Sequence, residues 1–283
     1  MVKNALPGRR LEEFDSIAQH IDDTECRGPD GDFFRLALIA LIPQFSRAVA
    51  NGGWLRWLPQ SLDSGHVVDA FKARVEMMLT DVCDSDGKDG DWHMRLGDAR
   101  SLPDGDATYS AVVTSPPYPN RHDYTRVLGV ELMFGFLDWE RVRELRYQSF
   151  HSHPEARPQR PAADEYEPPA GLEEKLSVLK DGRMRRMLQG YCLDMYLCLR
   201  EMERLCRVGA RAGVVVGNAR YEGNAFLVDE YTAELGERAG LSCQEIRTVR
   251  WRGNSAQQMG KFGRLGSRES VVLFVKTAPT GNC

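Results

Sequence analysis

The sequence predicts an α/β fold preceded by a helical region, and three observations carry that expectation. Over residues 1–90 apolar side chains recur at three- and four-residue spacing. From residue 91 onward, short β-branched runs alternate with longer helical patterns. One of those runs, Tyr109-Ser110-Ala111-Val112-Val113, ends directly in the stiff turn Thr114-Ser115-Pro116-Pro117-Tyr118. The expected organisation is a helical region over 1–90 and a larger α/β part over 91–283, with a proline-rich excursion at 151–170.

The elements follow in order. Leu11, Phe14, Ile17 and Ile21 predict a helix over 8–22. Residues 32–50 read as a second helix, apolar almost all round between 33 and 42, ended by Gly52-Gly53. A third spans 67–82, with Val68, Phe71, Val75, Met78 and Leu79 on one face, and an acidic Gly-rich loop covers 84–91. Residues 92–97 read as a short strand and 111–114 as a buried strand, followed by a helix over 128–137. The excursion at 151–170, rich in proline and charge, is expected at the surface. A long helix runs over 172–207, broken near Asp181-Gly182. A strand at 212–217, a helix at 226–239 and strands at 242–252 and 269–276 complete the chain, the last two forming an antiparallel hairpin.

Composition sets limits. No run of eighteen apolar residues exists, so no membrane-spanning helix is expected, and the first ten residues lack the apolar middle of a signal peptide. The seven cysteines form no Cys-x-x-Cys pair and no metal-ligand spacing, which fits small buried thiols in a reducing cytoplasm. The formal net charge of −4 gives no general signal for a polyanionic partner. From Ile246 to Arg268, however, six Arg or Lys residues occur with no acid among them, beside Trp251, Phe262 and several glycines. Such a stretch suits a phosphate backbone; the alternative is a solvated loop between two strands.

The turn at 114–118 carries the chemistry. Proline fixes φ and removes the backbone donor, and the residue before a proline is held extended. Two in succession therefore fix the Ser115 and Pro116 carbonyls at the carboxyl end of a strand, where open α/β sheets bind ligands. A Pro-Pro-Tyr tripeptide alone also suits a plain turn or a proline-rich ligand. Here the flanks add weight: Leu96-Gly97-Asp98-Ala99-Arg100-Ser101-Leu102-Pro103 stands just upstream and Pro119-Asn120-Arg121-His122-Asp123-Tyr124 just downstream.

Those residues together resemble the catalytic motif of DNA amino-methyltransferases of restriction–modification systems. The serine-led form is similar to the N4-cytosine branch, while the adenine-N6 branch more often leads with Asp or Asn. The resemblance covers roughly residues 92–277. It implies part of a Rossmann-like class I methyltransferase sheet, from its third strand to its seventh, and S-adenosylmethionine as cofactor. In that family the cofactor lies on a Phe/Asp-x-Gly-x-Gly loop between a strand and a helix. The glycines at 213–217, at 260–266 and at 52–53 all lack that context. Residues 1–90 resemble a helical insertion, so the chain resembles one piece of a split enzyme, with a second subunit expected to supply the glycine-rich loop. The absence of any Pro-Cys dipeptide argues against cytosine-C5 chemistry, which needs a cysteine nucleophile.

Residue by residue, the resemblance assigns catalysis to Ser115, Pro116, Pro117 and Tyr118 and cofactor contacts to Asp98, Ala99 and Thr114. Contacts to double-stranded DNA fall to Asn120, Arg121, Tyr124, Arg252, Lys261 and Arg264. Asp98 has the alternative of a helix cap or turn residue. Asn218 and Arg220 face the same crevice in this reading, although an Asn at a strand end is more often a turn former. His122 is read as a loop histidine, not as a base. Two other readings stay open: a non-catalytic DNA-binding or scaffold subunit, and an amino-methyltransferase acting on adenine N6, RNA or protein.

Overall fold

The computed structural model describes residues 1–24, 28–84, 91–253 and 266–278. In chain order the elements are α1 (Val2–Ala5), α2 (Arg9–Asp23), α3 (Pro29–Ile39), α4 (Ile42–Phe45), β1 (Ala48–Asn51), β2 (Trp54–Trp57) and α5 (Val67–Asp84). There follow β3 (Tyr109–Thr114), α6 (Tyr124–Val127), α7 (Gly129–Gly135), α8 (Trp139–Gln148), α9 (Leu172–Ser177) and α10 (Gly182–Leu205). Last come β4 (Cys206–Gly217), β5 (Ala219–Tyr221), β6 (Asn224–Phe226), α11 (Val228–Arg238), β7 (Leu241–Arg252) and β8 (Ser267–Lys276). The chain divides into two units, one of residues 1–94 with 123–146, the other of 95–122 with 147–283. Among the described residues no helix is long and apolar enough to cross a membrane.

The first unit is helical with one small hairpin. Phe14 and Ile21 of α2 join Leu38, Leu41, Ile42, Phe45 and Val67 in its core. Pro29 opens α3 at a position where its missing N–H costs no hydrogen bond. The continuous helix expected over 32–50 does not form. Only one face of α3 is buried, Leu36 being 59% exposed, and residues 48–57 make the antiparallel β1–β2 pair instead. Gly52 takes φ +61, so Gly52-Gly53 closes a two-residue hairpin turn. The β-branched and aromatic residues on either side of that turn outweigh the helical spacing.

The second unit is built on a mixed four-stranded sheet of order β3-β4-β8-β7. β3 and β4 are parallel, and β4–β8 and β8–β7 are antiparallel. The expected final hairpin is present, running from Leu241 opposite Lys276 to Arg252 opposite Ser267. α10 starts at an Asp181 cap whose side chain accepts from the Arg183 N–H. It buries Met187, Leu188, Tyr191, Met195 and Leu199, a stripe at helical spacing, in one core with Val214, Val216, Val272 and Phe274 of the sheet. Gly236 of α11 is the close-approach point, because a Cβ there would collide with the Phe274 ring.

Two strand expectations need correction. Residues 92–97 form no strand, and Trp92, Met94 and Leu96 are 87%, 95% and 104% exposed. Their alternating pattern suits a strand, but a strand exists only against a hydrogen-bonding neighbour. β3 is likewise not buried. Among the described residues it is an edge strand with β4 as its one neighbour, and Val113 is 85% exposed. The excursion at 151–170, in contrast, is well anchored: Ser152, His153 and Ala156 are buried and Tyr166 packs on Tyr196 at 5.5 Å.

Candidate active site

β3 delivers Thr114, paired with Val214 of β4, to the carboxyl edge of the sheet. The chain then turns through Ser115, Pro116 and Pro117. This corner borders a cavity of about 410 Å³ whose walls include Ala99, Thr114, Ser115, Pro116, Phe150 and Met195. The walls are mainly apolar. Glu201 of α10, also at the cavity, uses its carboxylate to accept from the Leu102 N–H at 2.9 Å and from Arg204 at 2.8 Å.

Tyr118 bends back over the end of β4. A Cβ on Gly217 would stand 2.9 Å from the Tyr118 Cδ2 and Cε2 atoms, so the ring lies on a position that only glycine leaves open. The phenol donates to Glu269 Oε1 of β8 at 2.8 Å, and the Arg252 guanidinium sits 5.2 Å above the ring. Glu269 also pairs with Arg250, its cross-strand neighbour. Burial pushes the Tyr118 phenol above its ordinary value; the Ser115 hydroxyl acts against this and the Glu269 carboxylate adds to it. Arg250 leads the groups that hold Glu269 below the usual carboxylate range. Tyr118 is thus fixed by its edge, its hydroxyl and one ring face. Beyond it, the Tyr221 hydroxyl donates to the Pro119 carbonyl, and the Tyr118 carbonyl accepts from the Asn120 N–H at 2.7 Å.

A buried charge cluster supports one wall. Arg100 donates to both Asp98 oxygens, at 2.9 and 2.8 Å, to Asp194 Oδ1 at 3.1 Å and to the Gln148 carbonyl at 3.2 Å. Asp194 of α10 is fully buried and also accepts from Arg160 Nε at 2.7 Å and from the His151 N–H at 2.9 Å. Burial alone would raise the Asp194 carboxyl, but His151 and Arg160 bring it down to about 2. For Asp98, too, burial is outweighed by Arg100, which keeps it below the ordinary carboxylate value. The segment carrying Asp98 and Ala99, the helix α10 and the stretch carrying Phe150 and His151 are therefore held in one polar knot.

The predicted residues fare differently. Ala99, Thr114, Ser115, Pro116 and Pro117 meet at the cavity. Asp98 does not line it; both carboxylate oxygens face Arg100, which favours its reading as a local structural residue. Asn120 and Arg121 are exposed on the following loop, with Arg121 at φ +66. Tyr124 belongs to the first unit, where it is 50% exposed. Arg252 is brought to Tyr118, while Lys261 and Arg264 lie outside the described residues. Asn218 is buried and accepts from the Asp229 N–H at 3.1 Å, which ties the end of β4 to the first turn of α11 and is not a local turn bond. Sequence reasoning missed Glu269, Asp194, Phe150 and Glu201. Glu269 becomes visible only once the β7–β8 register sets it opposite Arg250.

No family model matches the chain. Among curated proteins it is similar to the type II methyltransferase M.BsoBI of Geobacillus stearothermophilus, at 26% identity over 86% of this chain and 59% of that protein. It is also similar to M.AvaI of Nostoc sp. (strain PCC 7120), at 24% identity over 86% of this chain and 58% of that protein. The chain spans about three-fifths of the length of these relatives. A solved DNA modification methylase candidate of Thermus thermophilus aligns with 66% of this chain and 53% of its own at 15% identity, with a TM-score of 0.33. By sequence, the chain is a homologue of type II DNA methyltransferases.

Proposed function

We propose that this protein methylates the exocyclic N4 of a cytosine extruded from duplex DNA, using S-adenosylmethionine. The observation that carries the reading is the turn after β3, whose Ser115, Pro116 and Pro117 line a cavity of about 410 Å³. The apolar walls of that cavity fit the flat adenosyl part of the cofactor, which Ala99, Thr114 and Phe150 would hold. When bound, the cofactor supplies an electrophilic methyl on a sulfonium sulfur. Ser115 and Pro116 do the rest by position. The lone pair of a cytosine amine is delocalised into its ring, and acceptors at the Ser115 hydroxyl and the Pro116 carbonyl favour a more tetrahedral nitrogen. They also take up positive charge as it develops there. No covalent enzyme intermediate is needed.

Tyr118 is the stacking platform for the extruded base. Its clamp by Gly217 and Glu269 means that little ring entropy is lost when the base arrives. A base entering against Tyr118 also meets Arg252, which with Asn120 and Arg121 forms the described part of the proposed DNA contact in the second unit. β3, β4, β7 and β8 stand for the fourth to seventh strands of the methyltransferase sheet. In this reading a second subunit pairs with the edge of β3 that has no neighbour among the described residues and brings the glycine-rich cofactor loop.

The test is Ser115→Ala, assayed with methyl-labelled cofactor and duplex DNA in the presence of the second subunit. Turnover should fall on the order of 10²-fold, as when one charge-stabilising group is removed, with unchanged thermal unfolding. Unaltered turnover removes Ser115 from the mechanism. Nuclease digestion and mass analysis of the product should find N4-methylcytosine, and N6-methyladenine would move the reading to the adenine branch.

A further inference from the structure

The first unit carries an aromatic and cationic surface that none of the predicted contacts except Tyr124 includes. Trp54 of β2 is 61% exposed although a tryptophan is among the most costly side chains to leave in water. It is not a stray surface residue. The Arg126 guanidinium of α6 lies 4.8 Å from the centre of its ring. Arg126 is itself held by Asp123 at 3.1 Å, and Asp123 is 4% exposed and caps α6. The same carboxylate takes Arg146 at 3.0 Å, and Arg146 in turn lies 5.9 Å from the ring of Trp139. A buried acid thus fixes an arginine against one face of Trp54, while the exposure of the ring leaves its other face to solvent.

The hairpin itself carries one sign of charge. Arg56 lies on the same strand face as Trp54, two residues on, and both are exposed. Tyr124, on α6 next to the hairpin, is 50% exposed. Between Asp32 and Asp63 the chain has no Asp or Glu at all, although it holds 41 acids and is net negative. Acids are excluded from the stretch that displays the tryptophan, and arginine is not.

We infer that the β1–β2 hairpin, through Trp54 with Arg126 and through Arg56, is a second DNA-binding surface. Trp54 packs on a deoxyribose of the duplex backbone and Arg56 meets a phosphate. The chemistry is that of sequence-tolerant nucleic-acid contact, an aromatic face beside guanidinium groups. The inference rests on the DNA methyltransferase reading and adds a site to it.

The experiment measures binding of the full chain to a short fluorescein-labelled duplex by anisotropy across a salt series. Trp54→Ala should raise Kd about 10-fold and Trp54→Phe, which keeps an aromatic face, less than about 3-fold. Arg56→Gln should lower the slope of log Kd against log salt by about 1. Wild-type affinity in Trp54→Ala overturns the hairpin surface, and a surface for another protein would give that result. Should Trp54→Ala lose its circular dichroism, an unchanged salt slope in Arg56→Gln overturns it equally. A wild-type chain that binds no duplex at all would instead refute the DNA reading, and this surface with it.

Discussion

Replacing Asp194 by Asn tests the knot that holds the cavity wall. The side chain is fully buried, with its acceptor capacity filled by Arg100, Arg160 and the His151 backbone. The amide keeps the volume but loses the charge and one acceptor. Removing one partner of a buried ion pair costs about 3–5 kcal/mol, because the other charge is left in a poor medium. The low end applies here: Arg100 retains Asp98 and the Gln148 carbonyl, and the Arg160 side chain is 22% exposed and can turn toward water. A loss of about 3 kcal/mol is therefore expected, a large part of the roughly 5–15 kcal/mol that stabilises a domain. With a urea m-value of about 2 kcal/mol/M, the midpoint at neutral pH should fall by roughly 1.5 M. The pH dependence gives a second arm. The Asp194 carboxyl is depressed from 3.8 to about 2. Its contribution is thus complete above about pH 4 and is lost as pH falls through about 2. That gap corresponds to about 2 kcal/mol, so the wild-type protein should lose this advantage over Asp194→Asn between pH 4 and 2. A neutral-pH difference below about 1 kcal/mol, or one that does not narrow with acid, refutes the electrostatic account of the knot.

Two further outcomes bear on the site. Gly217→Ala puts a methyl group against the Arg252 guanidinium and 2.9 Å from the Tyr118 ring, so both must shift; methylation turnover should fall roughly 10-fold or more. Wild-type turnover in that variant would show that the ring position is unimportant. Glu269→Gln removes an anion beside the Tyr118 phenol, so the phenol should ionise at lower pH. Ultraviolet difference titration against a Glu269→Gln, Tyr118→Phe double variant measures this, and a higher value would contradict the assigned cause.

Much of the site was readable because its parts are local. Thr114, Ser115, Pro116, Pro117 and Tyr118 are contiguous, and proline stiffness needs no distant partner. The same holds for the break at Asp181-Gly182, after which α10 starts, and for the β7–β8 pair, whose strands differ clearly from the helix before them. Residues 92–97 misled because their alternation satisfies one requirement of a strand and leaves out the other, a neighbour. Residues 48–50 misled because apolar spacing over a short window suits a helix or a hairpin, and here the Gly52-Gly53 turn decides. Trp54 gave no signal at all, since a tryptophan in a short strand reads as core until its exposure is known.

By itself the sequence determined the chemistry on offer at the corner after β3: a hydroxyl, two fixed carbonyls and an aromatic ring in five consecutive residues. The tertiary structure decided how those groups are held and which of their neighbours remain available. Tyr118 meets Glu269 across 151 positions, and Arg100 meets Asp194 across 94. Backbone stiffness is a property of adjacent residues, whereas a buried charge or a clamped ring is defined by groups that only folding brings within a few ångströms. That is why the corner was legible, and why the burial of Asp194 among Arg100, Arg160 and His151 was not.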